Sequence, residues 1–217
     1  MRNLAHDFHD PYIPLSPDAL LAFSPEARVS DAQPGPFKAR VLFVCLGNAV
    51  RSQMAEGFAR VYGRDVVVPA SAGLTPAVST DPAAIRMMAD IGINISESFP
   101  KLFGPMLKMD FDLIVNMSGR TLPGTITAPV IDWPVVDPVG GPDEEYRKTR
   151  DLIQRLTLHL VDGVRGQIEA AALQSAKTAP EPAQAAAAAP TITAPPTPES
   201  GSTPWPVLDH RRRIKRA

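Results

Sequence analysis

Hydrophobic positions in the middle of the chain change period in a regular way. Val41 to Val44 form a short continuous apolar run, the signature of a strand buried on both faces. Between residues 52 and 62, Met54, Ala55, Phe58, Ala59 and Tyr62 recur at helical spacing with good helix formers between them. Val66 to Val68 read as a second strand, closed by SAGLTP. DPAAIRMMADIGI then reads as a helix: Asp81 can cap it, Pro82 suits its first position, and Gly92 lies just past its end. FDLIVNM (Phe111 to Met117) is a third strand and APVIDW (Ala128 to Trp133) a fourth. In the last element Leu152, Ile153, Leu156, Leu160, Val164 and Ile168 share one helical face, and acidic residues crowd the first turn, where the helix dipole favours them. Strands separated by helices predict an α/β three-layer sandwich around a parallel sheet. Such sheets bind ligands at the carboxyl ends of their strands, which is where Cys45 falls.

The flanks have another character. Residues 1 to 37 are rich in proline and acidic residues, and from residue 174 onward the chain is nearly all alanine, proline, threonine and serine before a basic DHRRRIKRA end. Segments with so little apolar surface cannot offset their ordering entropy, so the expected organisation is an N-terminal extension (1–37), a catalytic domain (38–173) and a disordered Ala/Pro-rich tail (174–217). With 217 residues and a formal net charge of −1, nothing global points to nucleic acid or a membrane surface as a partner. No apolar run approaches the roughly 18 to 20 residues of a membrane helix, and the first residues lack a signal-peptide core. The single cysteine permits no internal disulfide, which suits a reducing cytoplasm.

That cysteine ends the first strand, in VLFVCLGNAVRSQMAEGFAR. In a strand-loop-helix turn, residues 46 to 51 wrap around a point in front of the sulfur with their amide hydrogens inward, and the helix from Ser52 aims its positive end at the same point. Leu46, Gly47, Asn48, Ala49, Val50, Arg51 and Ser52 thereby form a candidate phosphate-binding loop for a tetrahedral oxyanion. Arg51 adds a planar, permanently charged fork for two of its oxygens. The same field favours a thiolate at Cys45, and Ser52 can donate a hydrogen bond to it. Gly47 and Asn48 suit the positive backbone dihedrals of such a loop. C-x5-R alone does not separate a nucleophile from an inert core cysteine; the preceding strand, the following helix and a candidate acid downstream do. The acid is Asp137, in WPVVDPVGG. It could protonate a leaving oxygen and then activate water, although Asp-Pro alone marks any turn.

CLGNAVRSQMAEG, SAGLTP, the DPAAIRMMADIGI helix, FDLIVNM and the late Asp-Pro occur in an order that resembles the low-molecular-weight protein tyrosine phosphatases and their relatives, the thioredoxin-linked arsenate reductases. The resemblance covers roughly residues 39 to 170. It implies a four-stranded parallel sheet flanked by helices, with Cys45 as nucleophile, Arg51 as oxyanion-binding arginine and Asp137 as general acid. It likewise makes Asn48 a loop-shaping residue and Ser52 the serine that hydrogen-bonds the thiolate. RSQMAEGFAR is closer to the arsenate reductase side. Yet the thioredoxin-linked cascade needs two further cysteines, which this chain lacks, and Val50 stands where many phosphatases carry a second loop cysteine. Val139, Gly140 and Gly141 stand where aromatics that grip phosphotyrosine often follow the Asp-Pro.

The resulting expectation is a cytoplasmic, cysteine-dependent phosphate monoester hydrolase acting through a phosphocysteine, with no cofactor and no metal. Its partner is a phosphorylated substrate, either a phosphotyrosine protein or a small phosphate ester; the oligomeric state is left unassigned. The alternatives are an arsenate reductase that uses an external thiol or glutaredoxin, and an oxyanion-binding redox-sensing module. Among other residues, HDFHD (6–10) reads as a polar terminus rather than a metal site and His159 as packed or solvated. Trp133 is expected to anchor the acid loop or form a pocket wall, and Arg120 to be a solvated surface arginine rather than one that reaches a substrate phosphate.

Overall fold

The computed structural model describes residues 37–178. The expected disordered tail beyond that point, the N-terminal extension up to residue 36 and the HDFHD cluster lie outside the described residues. In chain order the elements are β1 (Ala39–Cys45), α1 (Arg51–Tyr62), β2 (Val67–Gly73), α2 (Pro82–Ala89), α3 (Phe103–Met106), β3 (Leu113–Asn116), β4 (Val130–Asp132) and α4 (Asp143–Thr178). The four strands form one parallel sheet in the order β2-β1-β3-β4.

β1 is a central strand, and its apolar run divides by alternation between two cores. Val41, Phe43 and Cys45 join Met54, Phe58, Ile153, Leu160 and Trp133 on the side covered by α1, α2 and α4. Leu42 and Val44 pack with Ala72, Phe103, Phe111 and Ile114 on the other side, which α3 and the segment around Leu122 and Ile126 cover. α2 starts as its sequence implies. The Asp81 carboxylate accepts from the Ala83 amide at 2.7 Å, Pro82 opens the helix, and Gly92 takes φ 78° just beyond its end.

Three features differ from the sequence reading. β2 runs on through Gly73 instead of stopping at Val68, because pairing with β1 in the register Ala39↔Val67 to Cys45↔Gly73 recruits the whole of PASAG. Pro69 is tolerated there since β2 is an edge strand. α3, a single turn with Phe103 buried, carries no periodic signal long enough to be read. α4 continues to Thr178, past residue 173, because EAAALQSAK is made of strong helix formers and the next proline is Pro180.

One glycine fixes the approach of the sheet to the loop after β1. A Cβ on Gly73 would lie 2.8 Å from the Asn48 amide nitrogen, 2.9 Å from the Asn48 Cβ and 2.9 Å from the Leu46 carbonyl oxygen. Only a residue without a side chain lets β2 end against this loop.

Candidate active site

The loop from Leu46 to Val50 is held from outside by its carbonyl groups. Cys45, Leu46, Gly47 and Ala49 accept hydrogen bonds from the backbone amides of Leu74, Thr75, Ala77 and Asp81 at 2.8–3.1 Å. With the oxygens turned outward, the amides face the other way. Those of Leu46, Gly47, Ala49 and Val50 donate to no other group among the described residues, and the Asn48 amide donates to Cys45 Sγ at 3.2 Å. α1 begins at Arg51 with no side-chain cap, so its first-turn amides add to the same set of donors. Outward carbonyls and inward amides at a helix start form a concave anion receptor.

Asn48 sets the shape of this receptor. It alone among the described non-glycine residues has positive φ, at 48°; Gly47, expected to share that conformation, does not. The Asn48 side chain is fully buried and uses both ends: Nδ2 donates to Ser52 Oγ (2.7 Å) and Ser71 Oγ (2.9 Å), and Oδ1 accepts from the Lys101 amide (2.7 Å). Ser71 in turn donates to Glu56. Ser52, which receives an Asn48 hydrogen, lies 3.0 Å from Cys45 Sγ and is the donor of that pair whenever the sulfur is a thiolate. Glu56 is itself met by Arg60 and by Lys101 Nζ, the latter at 3.4 Å. A buried polar chain thus runs from the sulfur to a charged cluster on the far side of the loop. Gln53 Nε2 braces it by donating to the Asn48 and Phe99 carbonyls at 3.1 and 2.9 Å.

Cys45, at the end of β1, is 2% exposed. The Arg51 guanidinium is buried nearby. Its Nη1 donates to the Met117 and Val135 carbonyls at 2.7 and 3.1 Å, its Nη2 meets the Asp137 carboxylate, and its Nε has no partner. Asp137 is also approached by the Val139 amide, at 3.4 Å. The fold therefore gathers Cys45, Asn48, Arg51, Ser52 and Asp137, drawn from the end of β1, the start of α1 and the loop after β4.

A cleft of about 540 Å³ opens onto the receptor. Leu46, Gly47, Ala49, Asp81, Arg120, Asp137 and Val139 are among its walls, and no aromatic side chain lines it. Trp133 stays out of the cleft: it is 2% exposed, packs on Phe43 with ring centroids 5.9 Å apart, and borders a neighbouring cavity. His159 is exposed on α4. Tyr146, buried at the start of α4, donates to the second oxygen of Asp81 at 3.0 Å. Burial first, and then the Asp81 carboxylate, raise its phenol above the ordinary value, and the nearby Gly140 backbone pulls it part of the way back. Among the described residues no group of three His, Cys, Asp or Glu side chains is placed to hold a metal ion. No helix there is long and apolar enough to cross a membrane.

Sequence reasoning did not find Ser71, Glu56, Lys101 or Tyr146, and it read Asp81 only as a helix cap. Glu56 was within reach, since it lies one helical turn beyond Ser52 on the same face. Ser71 and Lys101 come from remote segments and carry no local signal.

With this geometry the chain belongs to the low molecular weight phosphotyrosine protein phosphatase family, whose model matches residues 40–171. Within that family it is similar to the glutaredoxin arsenate reductase of Synechocystis sp., with 32% identity over 126 residues, 56% of this chain and 95% of the relative. It is 35% identical over 123 residues to an arsenate reductase of Halalkalibacterium halodurans, covering 52% of this chain and 88% of that one. Among solved structures, an arsenate reductase in the phosphate binding state shares 31% identity with a TM-score of 0.52, covering 58% of this chain and 98% of the other. The tyrosine phosphatase Wzb from Escherichia coli, in complex with sulphate, shares the fold at 22% identity and a TM-score of 0.50, covering 58% and 97%.

Proposed function

We propose that the chain is a cysteine-dependent phosphate monoester hydrolase. The Cys45 thiolate, oriented by the Ser52 hydroxyl and the Asn48 amide, attacks phosphorus as the ester oxygen leaves. The inward amides and the free Nε of Arg51 take the equatorial oxygens, where charge builds. Asp137 gives its proton to the leaving oxygen. In the second step Asp137 takes a proton from water, water attacks phosphorus, and the S–P bond breaks to return the thiolate and inorganic phosphate. In the free site Arg51 holds Asp137; a phosphate dianion in the loop competes for that guanidinium and releases the carboxyl group for proton transfer. The observation that carries this reading is the outward-carbonyl receptor closing on the chain's only thiol. It binds a tetrahedral anion, and completing the turnover requires only water. A lone, unpaired cysteine also suits action in a reducing cytoplasm.

A second reading is favoured by the relatives, several of which are arsenate reductases. Arsenate would condense with Cys45, losing water. An external thiol would then attack the Cys45 sulfur, forming a mixed disulfide as As(V) leaves as As(III), and a second external thiol would free Cys45. The chain has no second cysteine to do this internally.

Both activities are measured on one preparation, with wild type and Cys45→Ser. Hydrolysis of p-nitrophenyl phosphate by wild type, lost by at least about 10⁴-fold in Cys45→Ser, is the expected outcome. Absence of hydrolysis together with arsenate-dependent oxidation of glutathione would replace the first reading with the second.

A further inference from the structure

The cleft over Cys45 has a neighbour of about 570 Å³, lined by Asn116, Thr121, Leu122, Ile126, Asp132 and Trp133 with others. One charged residue borders both: Arg120, exposed in the loop after β3. Its backbone is pinned, the amide accepted by Ser118 Oγ (3.1 Å) and the carbonyl receiving Asn116 Nδ2 (2.9 Å). Its guanidinium makes no hydrogen bond or ion pair among the described residues. The acids around it are engaged elsewhere. Asp137 meets Arg51, Asp81 takes the Ala83 amide and the Tyr146 hydroxyl, and Asp132 takes Asn116 Nδ2. Among the described residues Arg120 is thus the one cation in the cleft walls apart from Arg51, which belongs to the anion receptor itself; it is held by its main chain and free at its tip. Apart from Asp81 and Asp137, whose carboxylates are already bonded, the remaining walls are small or aliphatic and offer a leaving group no aromatic ring to stack on.

We propose that Arg120 is a specificity-determining residue: it recognises a carboxylate on the leaving group of the phosphate ester, and the second cavity receives the body of that group. The inference rests on the hydrolase reading and names its substrate class. A planar guanidinium pairs with a carboxylate through two parallel hydrogen bonds, which a neutral amide cannot accept equally. Because the pair forms at a solvent-exposed rim, its effect is modest and salt-dependent.

The test uses two aryl phosphates with the same phenol reactivity, 3-(4-phosphonooxyphenyl)propanoate and its neutral propanamide, on the full chain. The expected wild-type preference for the acid is roughly three- to tenfold in kcat/KM, shrinking as salt is raised. In Arg120→Gln the acid-to-amide ratio falls to about one, and Arg120→Lys retains part of it as a point charge without the fork. A wild-type ratio near one, a ratio unchanged in Arg120→Gln, or an equal loss on both substrates would overturn the proposal. The last outcome would make Arg120 a phosphate-binding or structural residue. Failure of wild type to hydrolyse even the amide removes the hydrolase reading and this proposal with it. Hydrolysis of both substrates without preference removes this proposal alone.

Discussion

The two loops that meet at Cys45 are built differently. The nucleophile loop is at most partly exposed and well bonded: Asn48 is fully buried and uses both ends of its side chain, and the loop carbonyls accept hydrogen bonds on the side away from the anion. The acid loop after β4 stands in solvent. Val136 and Val139 are 76% and 60% exposed, and Asp137 is held by Arg51 and one long contact from the Val139 amide. The difference fits the roles proposed for the two loops. A receptor for an oxyanion gains from donors that need no reorganisation when charge arrives. A general acid must give up its proton, recover it from water and let the product out, so it gains from an open position and few fixed bonds. Rigidity and exposure should therefore separate in mutants, one loop affecting stability and rate together, the other rate alone.

Asp137→Asn probes the open loop and carries the largest effect. The amide keeps the size of the side chain and cannot protonate a leaving oxygen. With phenyl phosphate, kcat/KM should fall by about 10²–10³-fold. With p-nitrophenyl phosphate, whose leaving group needs less protonation, the fall should be smaller. Urea unfolding should shift by no more than about 0.5 kcal/mol, since the residue is half exposed and Arg51 keeps its two carbonyl partners. A large loss of stability would erase the contrast between the loops.

Asn48 probes the well-bonded loop. Replacement by Ala removes three buried side-chain hydrogen bonds, at roughly 0.5–1.5 kcal/mol each, and puts a Cβ at φ 48° without the local hydrogen bonding that lets Asn adopt it. The expected destabilisation is about 2–4 kcal/mol, measured by urea unfolding, with a loss of turnover as Ser52 loses its Asn48 donor. Asn48→Gly loses the same bonds and is spared the backbone strain, so it should unfold about 1 kcal/mol later than the Ala variant. Equal stabilities would mean that the hydrogen-bond network alone shapes the loop.

The same contrast decides what was legible in the sequence. The receptor is contiguous, Cys45 to Ser52, and its chemistry is written in local spacing, so every member could be named. The order of the strands and of every helix but α3 was legible for the same reason: β1, β3 and α4 carry strong periodic runs. What lay hidden depends on contacts between distant segments. Residues 71–73 read as the close of the strand because their own strand character comes from pairing with β1, not from their side chains. Ser71, Lys101 and Tyr146 reach the site from 19 or more positions beyond Ser52, with only ordinary local patterns of their own. Arg120 reads as a surface arginine by every local criterion; its place between two cavities is a property of the folded loop.

Tyr146 joins the two loops and gives the smallest effect. Its hydroxyl donates to Asp81, whose own amide is bonded to the Ala49 carbonyl of the nucleophile loop, while the Gly140 backbone of the acid loop lies near enough to the same hydroxyl to lower its pKa. Tyr146→Phe keeps the ring in its buried place and deletes only this bridge. At neutral pH the expected loss of stability is about 1 kcal/mol. The phenol is raised above its ordinary value of about 10, chiefly by burial and then by Asp81. The folded protein therefore favours the protonated form, a contribution fully present below about pH 10 and lost as pH rises through the folded value. Wild type should consequently lose stability on the alkaline side more steeply than Tyr146→Phe, and the gap between them should narrow there. Urea unfolding of both proteins from neutral to alkaline pH measures this directly. A constant gap across that range would mean that Tyr146 contributes through packing alone, leaving the two loops without a polar tie between them.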